Sequence, residues 1–236
     1  MSPDPPWIRL GPMAFWRAAW VEAVDANPRW RNAEADEAFW ADFAQSYDAR
    51  SPLAEFATDL ILDLRGLVPA GGTLLEIGSG TGAFTRRLAP GLSAITCVEP
   101  SAAMRRAFEA AWEAQIPVDC IASDWLTAPE GLTADVVLCA NALYRTAEIA
   151  EALQKMTDAA RCHVAIVQSV GRPHAGPLHL RENGHAYERE RADALSDVLN
   201  ALEIAHTRKD YKVMRPDGLS RVALLTWPGA GREPRV

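Results

Sequence analysis

From Thr73 onward, short apolar runs alternate with stretches whose apolar residues recur at helical spacing. The runs "TLLEI" (73–77), "AITCVE" (94–99), "PVDCIAS" (117–123), "ADVVLCA" (134–140) and "CHVAIVQSV" (162–170) have strand length and predict five buried strands. Between them, "GAFTRRLA" opens a helix, and "SAAMRRAFEAAWEA" (101–114) and "TAEIAEALQKMTDAA" (146–160) predict two more, with Ser101 and Thr146 as N-caps. A further helix is expected over 188–202. The stretches 205–214 and 220–227 read as a closing strand pair joined at "RPDG". Strands separated by helices mean βαβ units. The fold class is therefore α/β, a Rossmann-like doubly wound, mostly parallel sheet of seven strands with helices on both faces.

The first seventy residues follow another pattern. They hold five of the eight tryptophans: Trp7, Trp16, Trp20, Trp30 and Trp40. One helix runs through "PMAFWRAAWVEAVDAN", with Phe15, Trp16, Ala19, Trp20 and Ala23 on one stripe. A second runs through "EADEAFWADFAQSYDAR", and a third, "LAEFATDLILDLRGLV", leads into the first strand. Residues 1–70 are thus expected to form a helical cap or lid. The core is expected over 71–228, with an insert at about 170–187 and a flexible tail over 229–236.

Composition narrows the class. A chain of 236 residues, 49% hydrophobic and 23% charged, suits one sizeable soluble core. The formal net charge of -7 repels phosphate backbones, so no nucleic-acid partner is expected. The clearest basic cluster, Arg105 and Arg106, reads as a solvated helix face. The start "MSPDPPWIRLGP" lacks the basic and apolar segments of a signal peptide, and no apolar run is long enough to span a membrane. A cytoplasmic protein, monomer or homodimer, is expected. Cys97, Cys120, Cys139 and Cys162 each lie in or beside a strand, with no CxxC pair. They read as buried thiols in a reducing compartment rather than as a redox pair or metal ligands, and no metal site is expected.

The segment "LLEIGSGTGAFTRRLA" (74–89) packs Gly78, Gly80 and Gly82 into five positions between a strand and a helix. Gly78 and Gly80 allow a sharp turn and close approach of a ligand, and Gly82 lets the helix pack closely. It is not a nucleoside triphosphate loop, because no Lys-Ser or Lys-Thr follows. A dinucleotide loop wants GxGxxG, and here the third glycine comes one position early. Acidic and polar residues stand near the carboxyl ends of successive strands: Glu76 before the loop, Glu99 after strand two, Asp124 after strand three and Asn141 after strand four. That is where ligands bind in open α/β sheets. Glu99 is placed to accept hydrogen bonds from ribose hydroxyls, or else serves the next helix dipole. Asp124 suits an adenine amino group, with Trp125 beside it to cover the ring, or else is a loop acid. Asn141 is a ligand group or a turn residue.

With "CVEPSAAM", "ASDWL" and "ADVVLCANALY", the glycine segment resembles the class I S-adenosylmethionine-dependent methyltransferases over residues 73 to about 170. The resemblance implies an antiparallel final strand and S-adenosylmethionine as cofactor, leaving S-adenosylhomocysteine. It implies that Gly78, Ser79, Gly80 and Gly82, with Glu76, form the loop site for the methionine end and sugar. Glu99 and Pro100 would stand at the ribose, Asp124 and Trp125 at the adenine, with Asn141 nearby. "FWADFAQSYDAR" looks like the helix before the core in small-molecule members, whose tyrosine approaches the cofactor; here that is Tyr47, which core packing explains equally well.

The expected activity is methyl transfer to a small-molecule acceptor, with a silent cofactor-binding partner subunit or an NAD-dependent oxidoreductase as alternatives. The stretch "SVGRPHAGPLHLRENGHAYERE" (169–190) reads as a movable loop with Arg172, His174, His179, Arg181 and His185. His174, His179 and Tyr144 are the catalytic candidates, against incidental histidines on a solvated loop.

Overall fold

A computed structural model describes residues 4–51, 53–171 and 176–231. The helices α1 (Pro6–Arg9), α2 (Pro12–Ala26), α3 (Ala33–Ala44), α4 (Tyr47–Arg50), α5 (Leu53–Phe56) and α6 (Thr58–Leu67) come first. The core follows as β1 (Thr73–Ile77), α7 (Ala83–Leu88), β2 (Ala94–Val98), α8 (Ala102–Ala111), β3 (Val118–Ile121), β4 (Ala134–Ala140), α9 (Ile149–Ala159) and β5 (Ala160–Val170). A hairpin of β6 (Leu178–Glu182) and β7 (His185–Arg189), then α10 (Arg191–Ala201), β8 (Thr207–Arg215) and β9 (Gly218–Pro228), complete it. Seven strands form one sheet in the order β3-β2-β1-β4-β5-β9-β8. β1 to β5 are parallel, and β9 runs antiparallel to both β5 and β8.

The two sheet faces follow from the period-two alternation of strand side chains. Leu74, Ile95, Leu138 and Val167 face α5, α6, α7 and Phe108 of α8. Leu75, Val98, Val137 and Ile166 face the other way, against α9, α10 and Phe15, Trp16 and Ala19 of α2. The expected cap over 1–70 is therefore not one detachable unit. Phe15 and Trp16 are each 1% exposed, and the Trp16 indole donates to the Thr146 carbonyl at 2.7 Å. α2 thus belongs to the main core, and α6 covers the opposite face.

Several predicted elements shift. The helix expected from Thr146 begins at Ile149 with Glu148 at its N-cap, and Thr146 instead closes a short 3-10 turn over Leu143–Arg145. Ser101 does cap α8, accepting from the Met104 amide at 3.2 Å. The second and third N-terminal helices each break, the latter at Ala57. The expected loop after β5 contains the β6–β7 hairpin. Asn183 and Gly184 both have positive φ (50° and 79°), the geometry of the two-residue turn that Asn-Gly favours. The expected tail is ordered through Gly231: the Gly229 amide donates to Cys162 and the Ala230 amide to Thr157, both at 2.9 Å. Residues 232–236 lie outside the described residues. Arg105 is not merely solvated, for it donates to the carbonyls of Glu99 and Pro100 at 2.5 and 2.8 Å. Of the thiols, Cys97 and Cys139 are buried, but Cys120 is exposed and Cys162 half-buried. No described helix is long and apolar enough to cross a membrane.

Candidate active site

The strand order reverses between β1 and β4, and the crevice at their carboxyl ends opens into a cavity of about 350 Å³. That volume lies within the roughly 300–1,000 Å³ of small-ligand pockets. Its floor carries Gly78 and Gly80 after β1, Val98 at the end of β2 with Glu99 and Pro100 after it, and Asn141 and Ala142 after β4. Asp124, Trp125 and Leu126 close one end, and Met104 reaches in from the first turn of α8.

The glycine loop is shaped by three residues at positive φ. At Gly80 (φ +55°) an added Cβ meets nothing within 4 Å, so the backbone borders open space. At Gly82 (φ +78°) a Cβ would run into the Phe108 ring, and at Gly78 into the Ala142 side chain. Gly82 therefore serves packing of the loop on α8 rather than the cavity. Neither it nor Ser79 nor Glu76 is among the residues that line the cavity. Glu76 is 1% exposed and accepts from the Thr85 hydroxyl of α7. Burial pushes its carboxyl up to about 8, and the nearby Glu99 pushes the same way.

Glu99 ties the loop to β2. One carboxylate oxygen accepts the Gly80 amide and the other the Ser101 amide, each at 2.9 Å. Each oxygen keeps acceptor capacity for a further hydrogen bond toward the cavity. Burial raises the Glu99 pKa, while the Ser101 and Gly80 amides and Arg105 oppose the rise. Asp124 is exposed at the far end, where its carboxylate meets the cavity. Trp125 borders the cavity but is anchored in the core: it is 6% exposed, its indole donates to the Ala152 carbonyl at 3.1 Å, and Lys155 lies over its ring. Asn141 (φ +53°) is structural as well as lining, since its side-chain oxygen accepts the Ser169 amide at 2.7 Å.

The wall opposite the floor comes from the N-terminal helices. Trp20, Trp40 and Tyr47 line the cavity together with Tyr144 and Arg145. α4 is held to the glycine loop by Asp48, which accepts the Thr81 hydroxyl and pairs with Arg86, both at 2.5 Å. Asp36, 4% exposed, accepts the Trp40 indole at 3.2 Å, pairs with Arg145, and lies 3.3 Å from Arg29. One buried carboxylate thus fixes two lining side chains. Burial raises the pKa of Tyr47 and of Tyr144, so both hydroxyls stay protonated near neutrality. His179 does not line the cavity; it stands on the hairpin and faces Glu188 at 3.2 Å. His174 and Arg172 lie outside the described residues.

Sequence reasoning missed Val98, Met104, Leu126 and Arg145 as lining residues. Val98, Met104 and Leu126 lie inside the stretches "CVEPSAAM" and "ASDWL", and Arg145 directly follows "ADVVLCANALY", but nothing in an apolar or basic side chain's neighbourhood says that it faces a ligand. Among the described residues no group of three His, Cys, Asp or Glu could hold a metal ion.

Residues 75–163, which run from within β1 into the start of β5 and include the whole cavity floor, match the model of a methyltransferase domain. Solved structures share the fold of this chain. It resembles the DhpI–SAH complex at 21% identity, with 84% of this chain and 97% of that chain covered and a TM-score of 0.60. It resembles magnesium protoporphyrin IX methyltransferase (ChlM) from Synechocystis PCC 6803 with bound SAH at 14% identity (86% and 98% covered, TM-score 0.55). It also resembles the N-methyltransferase NodS from Bradyrhizobium japonicum WM9, in complex with S-adenosyl-l-homocysteine, at 20% identity (74% and 88% covered, TM-score 0.52). At these identities the likeness is one of fold. No curated protein sequence matches the chain.

Proposed function

We propose that this chain binds S-adenosylmethionine and transfers its methyl group to a small-molecule acceptor. The observation that carries the reading is Glu99, buried at the cavity floor with one oxygen on the Gly80 amide and one on the Ser101 amide. It ties the glycine loop to the N-cap of α8, with free acceptor capacity facing a cavity of cofactor size. In this reading the open backbone at Gly80 receives the methionine end and sugar, Glu99 holds the ribose, and Asp124 accepts from the adenine amino group. Pro100, Met104 and Leu126 supply apolar contact for the ring. The SAH-bound neighbours support the same cofactor.

The sulfonium cofactor supplies an already activated methyl group, so alignment and water exclusion are the protein's main contributions. Trp20, Trp40 and Tyr144 form the wall that excludes water and shapes the acceptor end. Tyr144, kept protonated by burial, is a hydrogen-bond donor that orients the acceptor, not a base. An acceptor with a free lone pair at neutral pH suits such a site.

Calorimetry with S-adenosylhomocysteine, and separately with NAD, tests the cofactor assignment. Saturable one-to-one binding of the former alone is expected. Binding of NAD alone would return the chain to the oxidoreductase reading. Turnover with a panel of amines, carboxylates and thiols then separates an enzyme from a silent binding subunit.

A further inference from the structure

Cys97 and Cys120 are far apart in sequence but face each other in the sheet. They are in-register partners of the parallel strands β2 and β3, so their side chains share one face. In-register neighbours on adjacent strands have Cα atoms about 4.8 Å apart, inside the roughly 4.4–6.8 Å range that a disulfide spans. Each thiol is the largest influence on the other's pKa, raising that of Cys97 and lowering that of Cys120. Cys97 is 0% exposed, behind Cys120, which is exposed on the edge strand.

We propose that Cys97 and Cys120 are a reversible redox site, forming a disulfide under a two-electron oxidant such as a peroxide and reopening to a thiol reductant. The exposed Cys120 thiolate attacks the peroxide oxygen, giving a sulfenic acid and releasing one water once a proton is supplied. The Cys97 sulfur then attacks the Cys120 sulfur, the S–O bond breaks, and the hydroxyl leaves as a second water with the Cys97 proton. Two thiols and one peroxide become one disulfide and two waters. The Cys97 thiol and Arg105 both lower the Cys120 pKa, which favours the attacking form, whereas the Cys97 thiol is held protonated by its neighbour and by burial. A bond between adjacent parallel strands is strained, because their Cβ atoms stand wider than the roughly 3.8 Å mean of disulfides. Strained disulfides reduce readily and serve as labile, regulatory bonds.

The pair also touches the cavity floor. Cys97 interacts with Ser79 of the glycine loop and precedes Val98, whose carbonyl accepts the Gly78 amide at 2.7 Å, and Glu99. Arg105, beside Cys120, holds the carbonyls of Glu99 and Pro100. Drawing β2 toward β3 therefore displaces Glu99. On the cofactor reading above, oxidation weakens S-adenosylhomocysteine binding by about tenfold, the equivalent of roughly one charge-assisted hydrogen bond.

The test is peptide mapping of the full chain under non-reducing conditions after stoichiometric hydrogen peroxide. A cross-linked peptide pair carrying Cys97 and Cys120, lighter by two hydrogens and split by dithiothreitol, is expected. The exposed-site variant Cys120→Ser keeps the fold and gives no cross-link. Over-oxidation of Cys120 with no cross-link, or a bond from Cys120 to another cysteine, would overturn the proposal. Calorimetry of the oxidised, reduced and re-reduced protein follows. Equal affinity for S-adenosylhomocysteine in a chain shown to be cross-linked would overturn the coupling to the cavity. No binding in the reduced chain would instead count against the cofactor reading and leave the mapped disulfide standing.

Discussion

Glu76 makes the fold's stability depend on pH in a direction opposite to that of an ordinary ion-paired carboxylate. It is 1% exposed, and burial pushes its carboxyl up to about 8, with Glu99 adding to the rise and Thr85 and Arg86 opposing it. In the unfolded chain the same group titrates near 4.3. Below that value both states hold the proton, and the full stability is present. Between it and about 8 the unfolded chain has released a proton that the fold keeps, so stability falls by about 1.4 kcal/mol per pH unit. Over the whole window the loss is at most about 5 kcal/mol, and above it the curve flattens. Glu76→Gln presents a neutral group of the same shape to Thr85 and removes this slope. Urea unfolding of the two proteins from pH 4 to 9 is the assay. The variant is expected to match the wild type near pH 4 and to exceed it by a few kcal/mol near pH 8, of the order set by the same slope. Parallel profiles across the range would refute the assignment of a proton to buried Glu76.

Trp16→Ala should cost about 3–5 kcal/mol in urea or thermal unfolding, because it empties a core position and orphans the Thr146 carbonyl. Removal of residues 1–30 should likewise give a poorly folded chain by circular dichroism, not a soluble core without its lid. Gly80→Val should abolish S-adenosylhomocysteine binding in calorimetry and cost about 1–3 kcal/mol through strain at its positive φ, whereas Gly82→Val should lower the unfolding midpoint further by also colliding with Phe108. Asp36→Ala leaves Arg29 and Arg145 without their shared carboxylate and should destabilise by about 3–5 kcal/mol, measured by urea unfolding.

The sheet was largely legible in the sequence because buried strands leave short apolar runs and the loops between them sit at strand ends. Glu99 and Asp124 could be placed for the same reason: in a parallel sheet, the end of a strand is a position at the crevice. The directions of Glu76, Ser79 and Gly82 were not legible, because nearness to the loop in sequence is not orientation. Glu76 shares its sheet face with Leu74 and points under α7. The stripe on α2 announced a buried face without saying which surface it met, and that surface, α9 and α10, lies more than a hundred residues away. The hairpin after β5 did carry a signal, the Asn183-Gly184 turn, which the surrounding glycines, prolines and charges obscured. Pairing of Cys97 with Cys120 depends on strand order and register, neither of which a pattern of apolar residues specifies.

Calorimetry of S-adenosylhomocysteine binding to Glu99→Gln decides whether the Glu99-anchored cavity holds S-adenosylmethionine. The side chain keeps its shape while losing its charge, and circular dichroism checks that the fold survives. The expected affinity is lower by about 1.5–3 kcal/mol for each charge-assisted hydrogen bond lost, roughly ten- to a hundredfold. Unchanged affinity in a folded Glu99→Gln protein would contradict it.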